Sequence, residues 1–317
     1  NLQEVLNMGG RTLEFPCCTA RGAIVAYDIR TGERKWRAYT IDQESGYIGT
    51  TKNGTNRYGP SGVTVFSAIT IDDKRGLLYV PTGNQMTEPV VPESDSVIAF
   101  DLKTGAKRWV TSLAPEHMGG QDVYHLGCEA WVDEERKTCS PINPKGEGDR
   151  DIVSPVVLVK RSDGKEVLMA GSKDGMFYAL DPDASGKILW QTRVGRGGEV
   201  GGIQWGFASD GKNAYVPVND MDADMKGDGS FTAVDLVTGE SVWRVEKITP
   251  ACEGKPTPPC SNAFGLPSTV ANDVVFTGAA DGVLRAYNTA NGKLVWSFDT
   301  VRDYETVNDH KGYGGSV

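Results

Sequence analysis

Residues 282–296 read GVLRAYNTANGKLVW, and the same sentence is written four more times along the chain. The others are GAIVAYDIRTGERKW at 22–36, SVIAFDLKTGAKRW at 96–109, GMFYALDPDASGKILW at 175–190 and GSFTAVDLVTGESVW at 229–243. Apolar residues alternate on either side of a polar centre, which is the period of a strand. Asp28, Asp101, Asp181, Asp235 and Asn288 open the centre, where a short polar side chain can bond the local backbone. Gly32, Gly105, Gly186, Gly239 and Gly292 follow, supplying the φ that a tight turn needs. Each copy therefore predicts strand, tight turn, strand, with the closing Trp packing between neighbouring units.

The Trp spacings are 73, 81, 53 and 53 residues. Blades of a β-propeller repeat at about 40–50 residues. The two long gaps predict insertions, which become loops on a propeller face, where function concentrates. Further strands are predicted at Val63–Ile71, Gly76–Pro81, Ile152–Lys160, Glu166–Ala170, Asn213–Pro217 and Asp273–Gly278. Helix signals are nearly absent, so the chain is expected to be all-β.

Composition narrows function less. The formal charge of −9 argues against a nucleic-acid binder, which carries a basic stripe. It is compatible with a basic electron-transfer partner, and equally with an ordinary soluble protein. No apolar run reaches the about 18 residues of a membrane span. Both ends, Asn1 and Val317, read as cut from something longer. The six Cys form close pairs, Cys17 with Cys18, Cys128 with Cys139 and Cys252 with Cys260, without a zinc or haem spacing. That usage predicts disulfides and an oxidising compartment.

The repeat resembles the tryptophan-docking motif of quinoprotein (PQQ-dependent) alcohol dehydrogenases, which are eight-bladed β-propellers. The resemblance implies one incomplete propeller domain over 1–317, with about five to six blades present. FPCCTARG at 15–22 resembles the polyvinyl-alcohol-dehydrogenase-like branch in particular. It implies that Cys17 and Cys18 form a vicinal disulfide over pyrroloquinoline quinone (PQQ), with Arg21 as a cofactor contact. PTGN at 81–84 is similar to the family segment whose Asn gives a carbonyl to Ca²⁺, an oxygen-seeking ion. The alternative is that Asn84 serves only a left-handed turn. Phe66 stands where many members have a Trp under the quinone ring, or else is a core Phe.

The catalytic acid is expected at Asp122, in QDVYHLGC at 121–128, as base and metal ligand; Asp149 and Asp151 in GDRDI at 148–152 are the runners-up. A general base must reach the substrate proton directly. His125 is a weaker acid–base candidate. Lys173 in GSKDG at 171–175 matches the cation near the quinone oxygens, and Gln204 and Trp205 in GGIQWG at 201–206 match residues bordering the cofactor. The acidic stretch NDMDADMKGD at 219–228 departs from a calcium loop at Met225 and lacks the closing Glu, so it reads as a solvated turn. Glu4, Asn308 and Gly315 are weaker contacts.

The resemblance implies an enzyme of the periplasm, or otherwise secreted, that oxidises a primary or secondary alcohol, possibly on a polymer, and passes electrons to cytochrome c. The alternative is a non-catalytic propeller binding a partner protein or a polysaccharide.

Overall fold

The computed structural model describes residues 19–50, 56–87, 89–114, 150–198, 201–221, 227–246, 248–253, 260–308 and 310–315. Asp122, Asp149, His125, Glu4 and the pairs Cys17–Cys18 and Cys128–Cys139 lie outside them. Among the described residues there is no α-helix, and regular structure is almost entirely antiparallel strand. The chain divides into two compact units, Asn1–Asp151 and Ile152–Val317.

In the first unit, β1 (Ala23–Tyr27) pairs with β2 (Arg34–Tyr39). A hairpin of β3 (Gly46–Thr50) and β4 (Asn56–Gly59) follows. A four-stranded meander then runs β5 (Thr70–Asp72), β6 (Leu77–Pro81), β7 (Ser96–Asp101) and β8 (Lys107–Ser112). The second unit holds three such meanders. They are β9 to β12 (Val157–Lys160, Glu166–Gly171, Met176–Asp181, Lys187–Arg193), then β13 to β16 (Ala208–Ser209, Asn213–Met221, Gly227–Asp235, Ser241–Glu246) and β17 to β20 (Thr269–Ala271, Val274–Gly278, Val283–Asn288, Leu294–Asp299). A short hairpin, β21 (Asp303–Glu305) with β22 (Lys311–Tyr313), ends the unit. Four-stranded meanders of this kind are the blades of β-propellers.

All five repeats fall on the last two strands of a sheet, and they share one register. Ala26 faces Trp36, Ala99 faces Trp109, Ala179 faces Trp190, Ala233 faces Trp243 and Ala286 faces Trp296. The register shifts immediately after each Ala, a bulge that adds local twist. In each turn the Gly N–H donates to the carbonyl of the opening Asp or Asn, and the Gly φ lies between +69° and +77°. The opening carboxylate accepts amides as well: Asp101 Oδ1 takes Lys103 N at 3.0 Å and Thr104 N at 2.9 Å. The Arg108 guanidinium, with these donors, holds the Asp101 carboxyl well below the usual carboxylate range.

Three of the Trp residues then dock on the turn of the following repeat. Trp36 Nε1 donates to Leu102 O (3.3 Å), Trp190 Nε1 to Leu236 O (3.3 Å) and Trp243 Nε1 to Thr289 O (2.8 Å). The rings lie so close over the turn that a Cβ on Gly105 or Gly239 would stand 2.6 Å from Trp36 or Trp190. Gly32 has the same left-handed φ but nothing within 4 Å. Both Gly→Ala changes incur the left-handed penalty of about 1–2 kcal/mol. We predict that Gly239→Ala loses clearly more stability than Gly32→Ala in urea titrations, because only Gly239 must also displace an indole.

Each unit buries its own apolar clusters. Ile24, Leu78, Val80, Ile98 and Phe100 gather under Trp36 in the first. In the second, Phe177, Ile203, Val216 and Val234 form one cluster and Phe231, Phe264 and Tyr287 another.

Two expected strands are corrected. Val63–Ile71 is extended only from Thr70, because Val63 O and Thr64 O are spent on Thr40 Oγ1 and Gly83 N rather than on a ladder. Ile152–Lys160 begins only at Val157; Pro155, which has no N–H, stands in the irregular approach. Among the cysteines, Cys252 and Cys260 form the disulfide their spacing suggested. Among the described residues, no helix is long and apolar enough to cross a membrane.

Candidate functional site

In the first unit the site grows from the end of β6. Thr82 is buried and spends its hydroxyl on Glu93 O (2.6 Å) and Ser96 O (3.1 Å), while accepting Ser96 N (2.9 Å). Gly83 N donates to Thr64 O, and Gly83 O accepts from Asp95 N. The chain is thus locked at the two residues before Asn84.

Gly83 has no room for a side chain. A Cβ there would lie 2.2 Å from Asp151 Oδ1 and 2.6 Å from Phe66 Cε2. The peptide is therefore bracketed by a carboxylate and an aromatic edge. Asp151 is 5% exposed, and its Oδ1 accepts the Asn84 backbone N–H at 2.8 Å. Phe66 is 58% exposed, so one face of its ring is open to stacking and the core-Phe alternative is set aside. The Asn84 amide is half-buried, and its side chain has no hydrogen-bond partner among the described residues.

Phe66, Asn84 and Asp151 therefore converge on one glycine. Of these, Asp151 was only a runner-up in sequence; the signal that could have promoted it is its place just ahead of the β9–β12 meander. The donors, an amide carbonyl and a carboxylate, suit a hard cation such as Ca²⁺. No cluster of three His, Cys, Asp or Glu occurs among the described residues. The oxygen chemistry fits the ion, with further ligands to come from elsewhere. The open Phe66 ring fits a planar cofactor.

Arg21 is tied to the backbone through Nη1. Its guanidinium donates to the carbonyls of Ile41 (3.4 Å), Asp42 (3.1 Å) and Gln43 (3.4 Å), and it lies 3.8 Å over the Tyr39 ring. It anchors the chain that leaves β2.

In the second unit the segments that carry Lys173 and Gln204–Trp205 meet through their backbones. Gly198 N donates to Lys173 O, and Ile203 N to the adjacent Ser172 O. A Cβ on Gly202 would strike Lys173 O at 2.1 Å, so only glycine lets the two segments meet. Gln204 Nε2 donates to Gly201 O at 3.0 Å, and Trp205 is 62% exposed. In the acidic stretch the expected solvated turn is corrected at Asp220, which lies buried in β14 and accepts the amides of Arg196 (2.8 Å) and Gly197 (2.9 Å); Asp222 and Asp224 lie outside the described residues. Asn308 is exposed, and Gly315 O accepts Thr300 Oγ1 at 2.8 Å.

Residues 5–115 match the family described as glucose/ethanol/alcohol dehydrogenase, beta-propeller domain. Residues 173–310 match that of the outer membrane protein assembly factor BamB. The chain is 34% identical over 310 residues to a polyvinylalcohol dehydrogenase of Pseudomonas sp, covering 95% of this chain and 45% of that protein. It is 35% identical over 304 residues to the polyvinylalcohol dehydrogenase of Sphingopyxis sp. (strain 113P3), with the same coverage. The chain thus spans about half the length of the curated relatives it matches. In fold it is similar to the quinohemoprotein alcohol dehydrogenase of Comamonas testosteroni, with a TM-score of 0.55 at 18% identity over 89% of this chain and 49% of that one. A europium-containing methanol dehydrogenase gives 0.58 at 18% identity, over 93% and 62%. By repeat and fold the chain is similar to the quinoprotein alcohol dehydrogenases of β-propeller fold, and in sequence it is similar to the polyvinylalcohol dehydrogenases.

Proposed function

We propose that the protein oxidises primary or secondary alcohols, polymeric ones included, with PQQ and Ca²⁺ as cofactors. The observation that carries this reading is the convergence of Phe66, Asn84 and Asp151 on Gly83. When bound, PQQ accepts the hydride, and Ca²⁺ draws charge from its carbonyl as a Lewis acid. The chain does the rest. The Asn84 amide oxygen and the Asp151 carboxylate would hold the cation, and Phe66 would offer its ring to the quinone. Asp151 takes the hydroxyl proton of the alcohol, with one carboxylate oxygen fixed by the Asn84 N–H. Lys173, Gln204 and Trp205 are the proposed cofactor contacts of the second unit, taken by itself. Cys17 and Cys18 are proposed as a vicinal disulfide at the cofactor. Cytochrome c is the proposed electron acceptor and the periplasm the proposed compartment, a place that suits the Cys252–Cys260 disulfide.

The match of residues 173–310 to an assembly-factor family favours a second reading, a propeller that binds a partner without chemistry. Titration separates the two. The apoprotein is mixed with PQQ and Ca²⁺ while quinone absorbance and alcohol-dependent dye reduction are followed. Stoichiometric PQQ binding that weakens in Asn84→Ala supports the oxidase reading. A folded protein that binds no PQQ supports the partner-binding one.

A further inference from the structure

The connection from β2 to β5 is longer than a blade-to-blade link needs to be, and its hairpin is fastened at both feet. At the entry, Arg21 clamps the carbonyls of Ile41, Asp42 and Gln43. At the base, Ser45 Oγ donates to Pro60 O at 2.7 Å. At the exit, Thr87 Oγ1 donates to Tyr58 O (2.8 Å) and lies 2.6 Å from Ser61 Oγ, and Met86 N donates to Ser61 O (2.8 Å). Thr87, Ser61 and Met86 are buried. Thr87 stands three residues beyond Asn84, so the loop that presents the amide also carries the hairpin, within about 11 Å of chain.

On that fixed base stand two tyrosines. Tyr47 and Tyr58 are register partners across the hairpin, with rings 6.1 Å apart and edge to face at 73°. Tyr47 is 61% exposed, and its hydroxyl lies 2.6 Å from Thr50 Oγ1. Tyrosine combines an apolar face with a hydroxyl and loses little conformational entropy on contact. Methylene groups can lie against such rings while hydroxyl groups bond the phenols. A small alcohol needs only the proposed site at Asn84, whereas a chain of repeating CH₂ and CHOH units must run out over neighbouring surface.

We propose that the β3–β4 hairpin is a subsite for an extended hydroxylated polymer, holding through Tyr47 and Tyr58 the repeats that flank the one being oxidised. This inference rests on the alcohol-oxidising reading for its reacting repeat, but polymer binding is measured separately. The apoprotein is titrated with polyvinyl alcohol by calorimetry, and the PQQ-loaded protein is assayed on polyvinyl alcohol and on pentane-2,4-diol. In Tyr47→Ala/Tyr58→Ala the polymer Kd and KM are expected to rise about tenfold, the size of a lost hot-spot contact. Turnover of the short diol is expected to stay unchanged, which also shows that the fold is intact. Tyr47→Phe should recover part of the polymer binding through its ring. Polymer binding indifferent to both tyrosines would overturn the subsite even if the diol is oxidised, and so would an equal loss on polymer and diol. Polymer binding that depends on the tyrosines in a protein unable to bind PQQ would keep the subsite and remove the oxidation.

Discussion

Asp151→Asn lowers alcohol-dependent turnover by about 10²–10⁴-fold, the range for loss of a general base, while PQQ binding persists. The amide is nearly the same size and still offers an oxygen to the Asn84 N–H, now 2.8 Å from Asp151 Oδ1. Packing against Gly83 is therefore kept and an oxygen is still offered to the cation, while the carboxylate's charge and basicity disappear. The effect should fall on kcat more than on KM, because the carboxylate acts on the reacting proton rather than on the rest of the substrate. Asp122→Asn is the control. If Asp122 is the base instead, its variant will show the large loss and Asp151→Asn will retain most activity. The comparison is made by dye reduction on each PQQ-loaded variant.

The second large effect is on stability. Arg285 and Asp281 form a buried pair within the β17–β20 sheet, 6% and 0% exposed. Arg285 Nη1 donates to Asp281 Oδ1 at 2.9 Å, and Nη2 bonds Oδ2 in the same fork. Asp281 also accepts the amides of Val283 (3.1 Å) and Ala251 (3.2 Å), the latter next to the Cys252–Cys260 loop. Arg285→Ala strips the counter-charge and leaves a carboxylate in the dry interior. Removing one partner of a buried pair costs about 3–5 kcal/mol. Urea unfolding is expected to show that loss. The double change Arg285→Met/Asp281→Asn is expected to restore much of it, since no unpaired charge remains; a single variant as stable as the parent would show the pair to be energetically idle.

Much of the fold could be read in advance because its information is local. Alternation sets the strands, Asp or Asn and Gly set the turn within four residues, and the Ala–Trp register follows in all five copies. Reading failed where backbone bonds leave the ladder. Val63–Thr64 has strand-like composition, yet its carbonyls serve Thr40 and Gly83. The β3–β4 hairpin went unseen because Gly46–Gly59 is polar and glycine-rich, without apolar alternation.

The site was legible as residue types and not as partners. Asn84 and Phe66 were marked by their segments, but Asp151 is 67 positions from Asn84, and no local pattern reports a contact at that distance. Arg21 shows the converse. Its neighbourhood in FPCCTARG suggested the cofactor, while its guanidinium is committed to three backbone carbonyls.

The most direct test is a crystal structure of the protein grown with PQQ and Ca²⁺, with the cation located by anomalous scattering. The account predicts the ion at about 2.3–2.6 Å from the Asn84 side-chain oxygen, with an Asp151 oxygen also in its coordination sphere and the quinone ring against Phe66. A cation bound with neither Asn84 nor Asp151 among its ligands would contradict it.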